Sequence, residues 1–137
     1  MPSKLPHEDV WVRLGRSAID GIGVIAIRPI PAGTNLFAND LVPLVWVSKA
    51  ELERAGLSEA ERSFYRDFGI GRGDQIGCPA NFHNLTPGWY LNEPGPGGRA
   101  NVRADADHNF FALRDIEEGE ELTIDYAGFS DQARYGP

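Results

Sequence analysis

Hydrophobic positions along the chain fall into short alternating runs. Residues 10–17, Val-Trp-Val-Arg-Leu-Gly-Arg-Ser, alternate loosely between apolar and polar. Residues 24–30, Val-Ile-Ala-Ile-Arg-Pro-Ile, are largely β-branched and alternate again, so both segments predict strands. Asp20-Gly21-Ile22-Gly23 between them and Pro31-Ala32-Gly33 after them read as turns, the second leading into a third strand over 34–38. The N-terminal third is thus a predicted β meander. Ser48 and Ser58 each stand three residues ahead of a glutamate, Glu51 and Glu61, which is the capping-box pattern of two consecutive short helices covering 48–68. Residues 69–100 are dense in Gly, Pro and Asn, and Trp89-Tyr90-Leu91-Asn92 is their only compact apolar stretch. A loop is predicted there, and a loop that long in a compact domain is usually functional. Strands resume at 100–104 and 109–116, Glu117-Glu118-Gly119 turns the chain, and Glu121–Tyr126 forms a last strand. The pattern as a whole predicts an α+β, mainly β fold.

A chain of 137 residues can bury one real core and is too short for two domains of ordinary size, so one domain spanning 1–137 is expected. Sixteen glycines and ten prolines fit many turns between short strands. Thirteen Lys and Arg against twenty Asp and Glu leave a net charge of −7, the wrong sign for holding a phosphate backbone. A direct nucleic-acid ligand is therefore not expected, whereas a basic protein partner suits an acidic surface. Cys78 is the sole cysteine, which excludes an intramolecular disulfide and a zinc site built from several cysteines. The opening Met-Pro-Ser-Lys-Leu-Pro-His-Glu lacks the apolar core of a signal peptide, and no apolar run approaches the roughly 20 residues of a membrane span. An intracellular protein without a membrane anchor is expected.

Two segments imitate ligand loops. Gly69–Gly73 lacks the lysine of a phosphate loop. Asp105–Asn109 begins like a calcium loop, but Phe110 stands where the glycine belongs and Ile116 where the closing acid belongs, so it reads as a polar turn. His7, His83, His108 and Cys78 show no paired close spacing, and no metal site is predicted.

Four segments carry more specific chemistry: Asp20–Thr34, Tyr90–Pro94, Ala100–Val102 and Ala112–Gly128, the last containing Ile116-Glu117-Glu118-Gly119-Glu120-Glu121-Leu122-Thr123-Ile124-Asp125-Tyr126. In this order they resemble the SET domain of protein lysine methyltransferases over residues 10–128, without cysteine-rich pre-SET or post-SET segments. The resemblance implies a β-clip fold with several short-stranded sheets, a threaded C-terminal segment and the helical insert beside the substrate groove. It also implies S-adenosylmethionine as cofactor on one face, giving S-adenosylhomocysteine, and a lysine-bearing, basic protein or peptide entering on the other.

Residue by residue, Gly21, Ile22 and Gly23 would let the backbone approach the cofactor, since glycine has no Cβ. Asn92 matches the asparagine that hydrogen-bonds the cofactor, and Asn101 the second, architectural asparagine. Tyr126 matches the catalytic tyrosine that orients a neutral lysine amine in line with the methyl group. Glu93 and Pro94 stand in place of the family's His and Ser. Glu93 either supplies the missing hydrogen bond or marks a SET-fold interaction module that binds without turnover, and both readings stand. Ile124 occupies the position where many relatives carry the aromatic that limits methyl number. Tyr65, Phe68 and Tyr90 are candidates for a second aromatic in the lysine channel. Phe129 and Tyr135 are candidates to stack on adenine. Dimerisation is left open as a way of completing the substrate groove.

Overall fold

The computed structural model describes residues 5–40 and 43–131. Its strands are β1 (Val12–Arg16), β2 (Ile22–Ala26) and β3 (Leu44–Ser48), followed by helices α1 (Lys49–Arg54) and α2 (Glu59–Phe68). Then come β4 (Ile70–Arg72), β5 (Gln75–Pro79), β6 (Val102–Ala104), β7 (Phe110–Ala112) and β8 (Glu121–Leu122). They form three small sheets in the orders β1-β2-β8, β3-β5-β4 and β6-β7, every pairing antiparallel. The fold is mainly β, with several short-stranded sheets and few helices, as the sequence predicts. Among the described residues no helix is long and apolar enough to cross a membrane.

β1 and β2 pair from Val12 opposite Ala26 to Arg16 opposite Ile22. Their alternation sends Val12, Val24 and Ala26 inward, where Val24 meets its β8 partner Leu122, both 0% exposed. Ile30, Leu91, Val102, Ile116, Ile124 and Tyr126 complete the core around this sheet.

The helical insert forms through its caps. The Ser58 hydroxyl accepts from the Glu61 amide at 3.1 Å and the Glu61 carboxylate accepts from the Ser58 amide at 2.8 Å, a full capping box. Ser48 caps α1 more loosely, accepting from Ala50 and Glu51 at 3.2 and 3.4 Å. Neither helix contributes a buried residue, so the pair lies on the surface.

Two expectations are corrected. The segment 34–38 is not a strand: Asn35 makes one isolated bridge to Phe111, with Leu36 and Thr34 hydrogen-bonded to β7 on either side. The 69–100 loop in turn contains the β4–β5 hairpin, which pairs with β3, an element the sequence reading left unassigned. Low β-propensity hid the hairpin, whose strands read Ile-Gly-Arg and Gln-Ile-Gly-Cys-Pro. Gly77 is there because the Trp46 ring lies 3.0 Å from where a Cβ would sit, so the residue that weakens the strand signal is required by cross-strand packing.

The C-terminal segment is held between the two ends of the 92–101 loop. The Ile124 amide donates to the Asn92 carbonyl at 3.0 Å, and the amides of Asn101 and Val102 donate to the Thr123 carbonyl at 3.1 and 3.0 Å. The isolated bridges Asn92–Thr123 and Val102–Ile124 are both parallel. This is the threaded arrangement expected from the resemblance. Asn101, 2% exposed, rivets it: its Oδ1 accepts from the Thr123 amide at 2.8 Å, and its Nδ2 donates to the Glu121 carbonyl at 3.0 Å and to Glu120 Oε2 at 3.2 Å. Removing the side chain would orphan a buried amide and a carbonyl together. Asn101→Ala is therefore expected to cost about 2–3 kcal/mol of stability, read as a lower urea midpoint at unchanged slope.

Candidate active site

The loop joining β1 to β2 folds around Ser17. Its hydroxyl accepts from the amides of Ile19 and Asp20 at 2.9 and 3.0 Å, and its own amide donates to the Gly21 carbonyl at 2.9 Å. Gly21 has φ +51°, a backbone that L side chains rarely adopt, and nothing lies within 4 Å of its missing Cβ. The turn thus presents bare backbone to open space, flanked by Ile19 and Ile22, which are 43% and 53% exposed.

Gly23 faces the other way. Glu121 Oε2 lies 2.4 Å from the position its Cβ would take. That carboxylate accepts from the Ser17 hydroxyl at 2.8 Å through Oε1, and from Asn92 Nδ2 at 3.0 Å through Oε2. Asn92 Nδ2 also lies within hydrogen-bond distance of the carbonyls of Asp20, at 3.1 Å, and Ile22, at 3.3 Å. The amide donors of Asn92 are thus turned into the protein, where they shape the glycine turn. Sequence reasoning missed Glu121 and Ser17 as parts of this site. The signal for Glu121 was its place in the Glu120-Glu121-Leu122-Thr123 run; for Ser17 there was none beyond its position ahead of the turn.

From Asn92 the chain leads directly to Tyr126. The Glu93 carboxylate accepts from the Tyr126 amide at 3.1 Å, and the Tyr126 phenol donates to the Leu91 carbonyl at 2.6 Å. Tyr126 is 5% exposed and opens a short 3-10 turn, Tyr126–Gly128, rather than ending a strand. Leu91–Glu93 is therefore a strip with the glycine turn on one side and Tyr126 on the other.

Behind Tyr126 lies a cavity of about 320 Å³. Phe37, Phe68, Trp89, Phe110, Tyr126 and Phe129 are among the side chains in its wall. Gly21, Gly23, Asn92 and Glu93 are not in that wall, whereas Leu91 and Tyr126 are. Asp40, Asp107 and His108 add polar groups, and no Lys or Arg lines it among the described residues. The Thr86 hydroxyl donates to the Asp40 carboxylate within this wall.

Of the predicted channel aromatics, Phe68 lines the cavity and Tyr90 packs edge-on against it, with ring centroids 5.5 Å apart. Tyr65 lies elsewhere, edge-on to Phe82 at 5.0 Å. Ile124 is 2% exposed and belongs to the core rather than to the cavity wall. Phe129, expected beside the cofactor, stands in the cavity wall between Phe110 at 5.7 Å and Tyr126 at 6.3 Å, because the 3-10 turn carries it back over Tyr126. Tyr135 lies outside the described residues. Phe37, Phe110 and His108 were not anticipated, since each comes from a short loop or strand whose packing partner is remote in sequence.

Fold and site together define a small, mainly β domain with a threaded C-terminal segment, a bare glycine turn and a tyrosine-walled aromatic cavity. The profile of the SET domain matches residues 21–127, and the chain belongs to the SET-domain family. One solved structure similar to it is a Plasmodium falciparum protein described as a candidate histone methyltransferase. It is 14% identical with a TM-score of 0.53, over 83% of this chain and 90% of that one. Another is a humanised mutant of the Chaetomium thermophilum Polycomb Repressive Complex 2 bound to an inhibitor. It is 21% identical with a TM-score of 0.60, over 90% of this chain and 16% of that one. At these identities the likeness is one of fold. No curated protein matches the sequence.

The two glycines of the turn are expected to respond differently to alanine. Gly23→Ala drives a methyl into the Glu121 carboxylate and pulls it from Asn92, costing about 2–3 kcal/mol. Gly21→Ala meets no atom and costs only backbone strain, about 1 kcal/mol. Thermal and urea unfolding of the two variants side by side measures the difference.

Proposed function

We propose that this domain binds S-adenosylmethionine at the glycine turn and transfers its methyl group to the side-chain amine of a lysine in another, basic protein. The observation that carries the reading is Tyr126, whose backbone is tied to the cofactor-side strip while its ring forms part of the aromatic cavity.

The residues present fit such a cofactor. The backbone at Gly21 is open, a Cβ there would reach into that space, and Ile19 and Ile22 offer apolar surface next to it. Asn92 and Glu121 fix the turn from within, and Glu93 belongs to the same strip. When bound, the cofactor supplies an electrophilic methyl group on a sulfonium.

The chain's own part concerns the lysine. Free in water its amine has a pKa of about 10.4 and is protonated. Entry into the aromatic part of the cavity removes it from water, which disfavours the charged form and lowers that value, against the Asp40 and Asp107 carboxylates of the wall. Asp40 and Asp107 in the wall favour the approach of a cation before it is desolvated. Tyr126 donates its phenolic proton to Leu91, so toward an incoming amine the oxygen acts as an acceptor and aligns the N–H. That alignment is the main catalytic contribution of the residues described. Glu93, in place of the family's histidine, holds the Tyr126 backbone and is compatible with turnover. The reading also takes the protein to be intracellular.

Calorimetric titration with S-adenosylmethionine and S-adenosylhomocysteine is expected to give saturable binding that Asn92→Ala abolishes, because the glycine turn loses its inner support. Tyr126→Phe is expected to keep the fold and the binding while lowering transfer to protein lysines at least about 100-fold. A folded Tyr126→Phe protein with an unchanged methylation rate would overturn the role given to Tyr126. Absence of cofactor binding by the folded wild type would leave an interaction module.

A further inference from the structure

The consecutive Glu120 and Glu121 lead into β8 and meet different surroundings. The Glu120 carboxylate is paired with the Arg114 guanidinium and accepts from Asn101 Nδ2 at 3.2 Å. Glu121 has no such cation. Among the described residues its partly buried carboxylate meets only neutral donors: the Ser17 hydroxyl, 2.8 Å from Oε1 and 2.9 Å from Oε2, and Asn92 Nδ2, 3.0 Å from Oε2. Arg16 stands next to Ser17 in the sequence and forms no ion pair with Glu121.

These hydrogen bonds explain an acceptor at position 121 but not a charge. The Ser17 oxygen already accepts from the amides of Ile19 and Asp20, so its proton needs an acceptor, and so does Asn92 Nδ2. Oε2 alone lies within reach of both, and a neutral carbonyl in its place would serve them. Neutral donors hold a carboxylate without cancelling its charge, and a partly buried charge costs desolvation energy that a neutral group does not. The charge sits directly beneath the glycine turn, since Oε2 is the atom with which a Cβ on Gly23 would collide. The same strip leaves a second electron-rich group. Asn92 spends Nδ2 on Ser17, Asp20, Ile22 and Glu121, and no hydrogen bond reaches its Oδ1 among the described residues. An uncancelled carboxylate and an unspent amide oxygen together favour a ligand that is cationic over one that is neutral or anionic.

We propose that Glu121 is a specificity-determining residue that sets a negative charge beneath the glycine turn and makes the cofactor site prefer a cationic ligand to its neutral counterpart. This role rests on S-adenosylmethionine binding at the glycine turn. That cofactor carries one positive charge more than S-adenosylhomocysteine, the charge of its sulfonium, so the carboxylate favours the methyl donor over the spent product. The backbone of the turn lies between the carboxylate and the open side at Gly21, so Glu121 acts through its field rather than by contact. A unit charge felt across several ångströms at an effective dielectric constant of about 20 is worth on the order of tenfold in affinity.

Calorimetric titration of the full chain with S-adenosylmethionine and with S-adenosylhomocysteine reads the preference as the ratio of the two Kd values, without reference to transfer. Glu121→Gln keeps a carbonyl for Ser17 and Asn92 and removes the charge. It is expected to lower the preference for S-adenosylmethionine about tenfold, through weaker binding of that ligand alone. Ser17→Ala keeps the charge and loosens the turn, and is expected to weaken both ligands together with the ratio unchanged. A Glu121 that only supports the turn would behave in the same way, so equal weakening of both ligands by Glu121→Gln, or no change in their ratio, overturns the charge role. A ratio that falls as far in Ser17→Ala overturns it too. Urea unfolding checks that each variant is folded, and if Glu121→Gln is not, Glu121→Met, neutral and of similar length, takes its place with the same expectation. Absence of binding of both ligands by the folded wild type overturns the cofactor reading and this role with it, whereas an unchanged ratio overturns the role of Glu121 alone.

Discussion

The segment from Glu121 to Tyr126 is hydrogen-bonded to β2, to Asn92, to residues 101–102 and to Glu93 within six residues. These partners come from three separate parts of the chain, and none is its neighbour in sequence. A strand so short has little stability of its own, because a ladder of two residues cannot offset the entropy of ordering them. It exists because buried polar groups on both sides have no other partner. Asn101 supplies the clearest case: it is 2% exposed and bonds the backbone of the segment through both ends of its amide.

From this constraint the rest of the site follows. The side chain of Glu121 is carried by β8 to the underside of the glycine turn, where Ser17 and Asn92 meet it and a Cβ at Gly23 could not fit. Four residues further on, the backbone turns away from the sheet, so that Tyr126 leaves its amide with Glu93 and puts its ring into the cavity wall. One backbone path thus couples the two faces of the domain. A strip of three residues, Leu91–Glu93, thus separates the backbone-lined turn from the aromatic cavity.

The insert makes the second wall. β3 and β4 carry Leu44 and Ile70 into the cavity, and the end of α2 adds Phe68. This sheet is tied to the segment after Tyr126 through Gly71 and Gly73, and to the turn between β6 and β7 through the Arg72–His108 contact. The cavity is therefore formed between two separately built parts, whose alignment depends on a handful of polar contacts rather than on a continuous apolar core.

Much of this was legible in the residues. Alternation gave β1 and β2, and Ser48 and Ser58 gave the starts of both helices, because strands and caps are set by side chains within a few positions of one another. The order of the glycine turn, Asn92, Asn101 and the Ile116–Tyr126 run gave the family. What the sequence could not disclose depends on contacts between distant residues. The β4–β5 hairpin was hidden because Gly77 is required by Trp46 across the sheet. Phe129 moved to the cavity because the turn at Tyr126 reverses the chain. Tyr65 was separated from Phe68 by the helix itself, which points residues three apart at neighbouring but different surroundings, Phe82 for one and Tyr90 for the other. Local pattern fixed which elements form; the partners of each buried polar group and the shape of the cavity were decided only when the C-terminal segment was seated between the ends of the 92–101 loop, since no short stretch of chain contains both halves of those bonds.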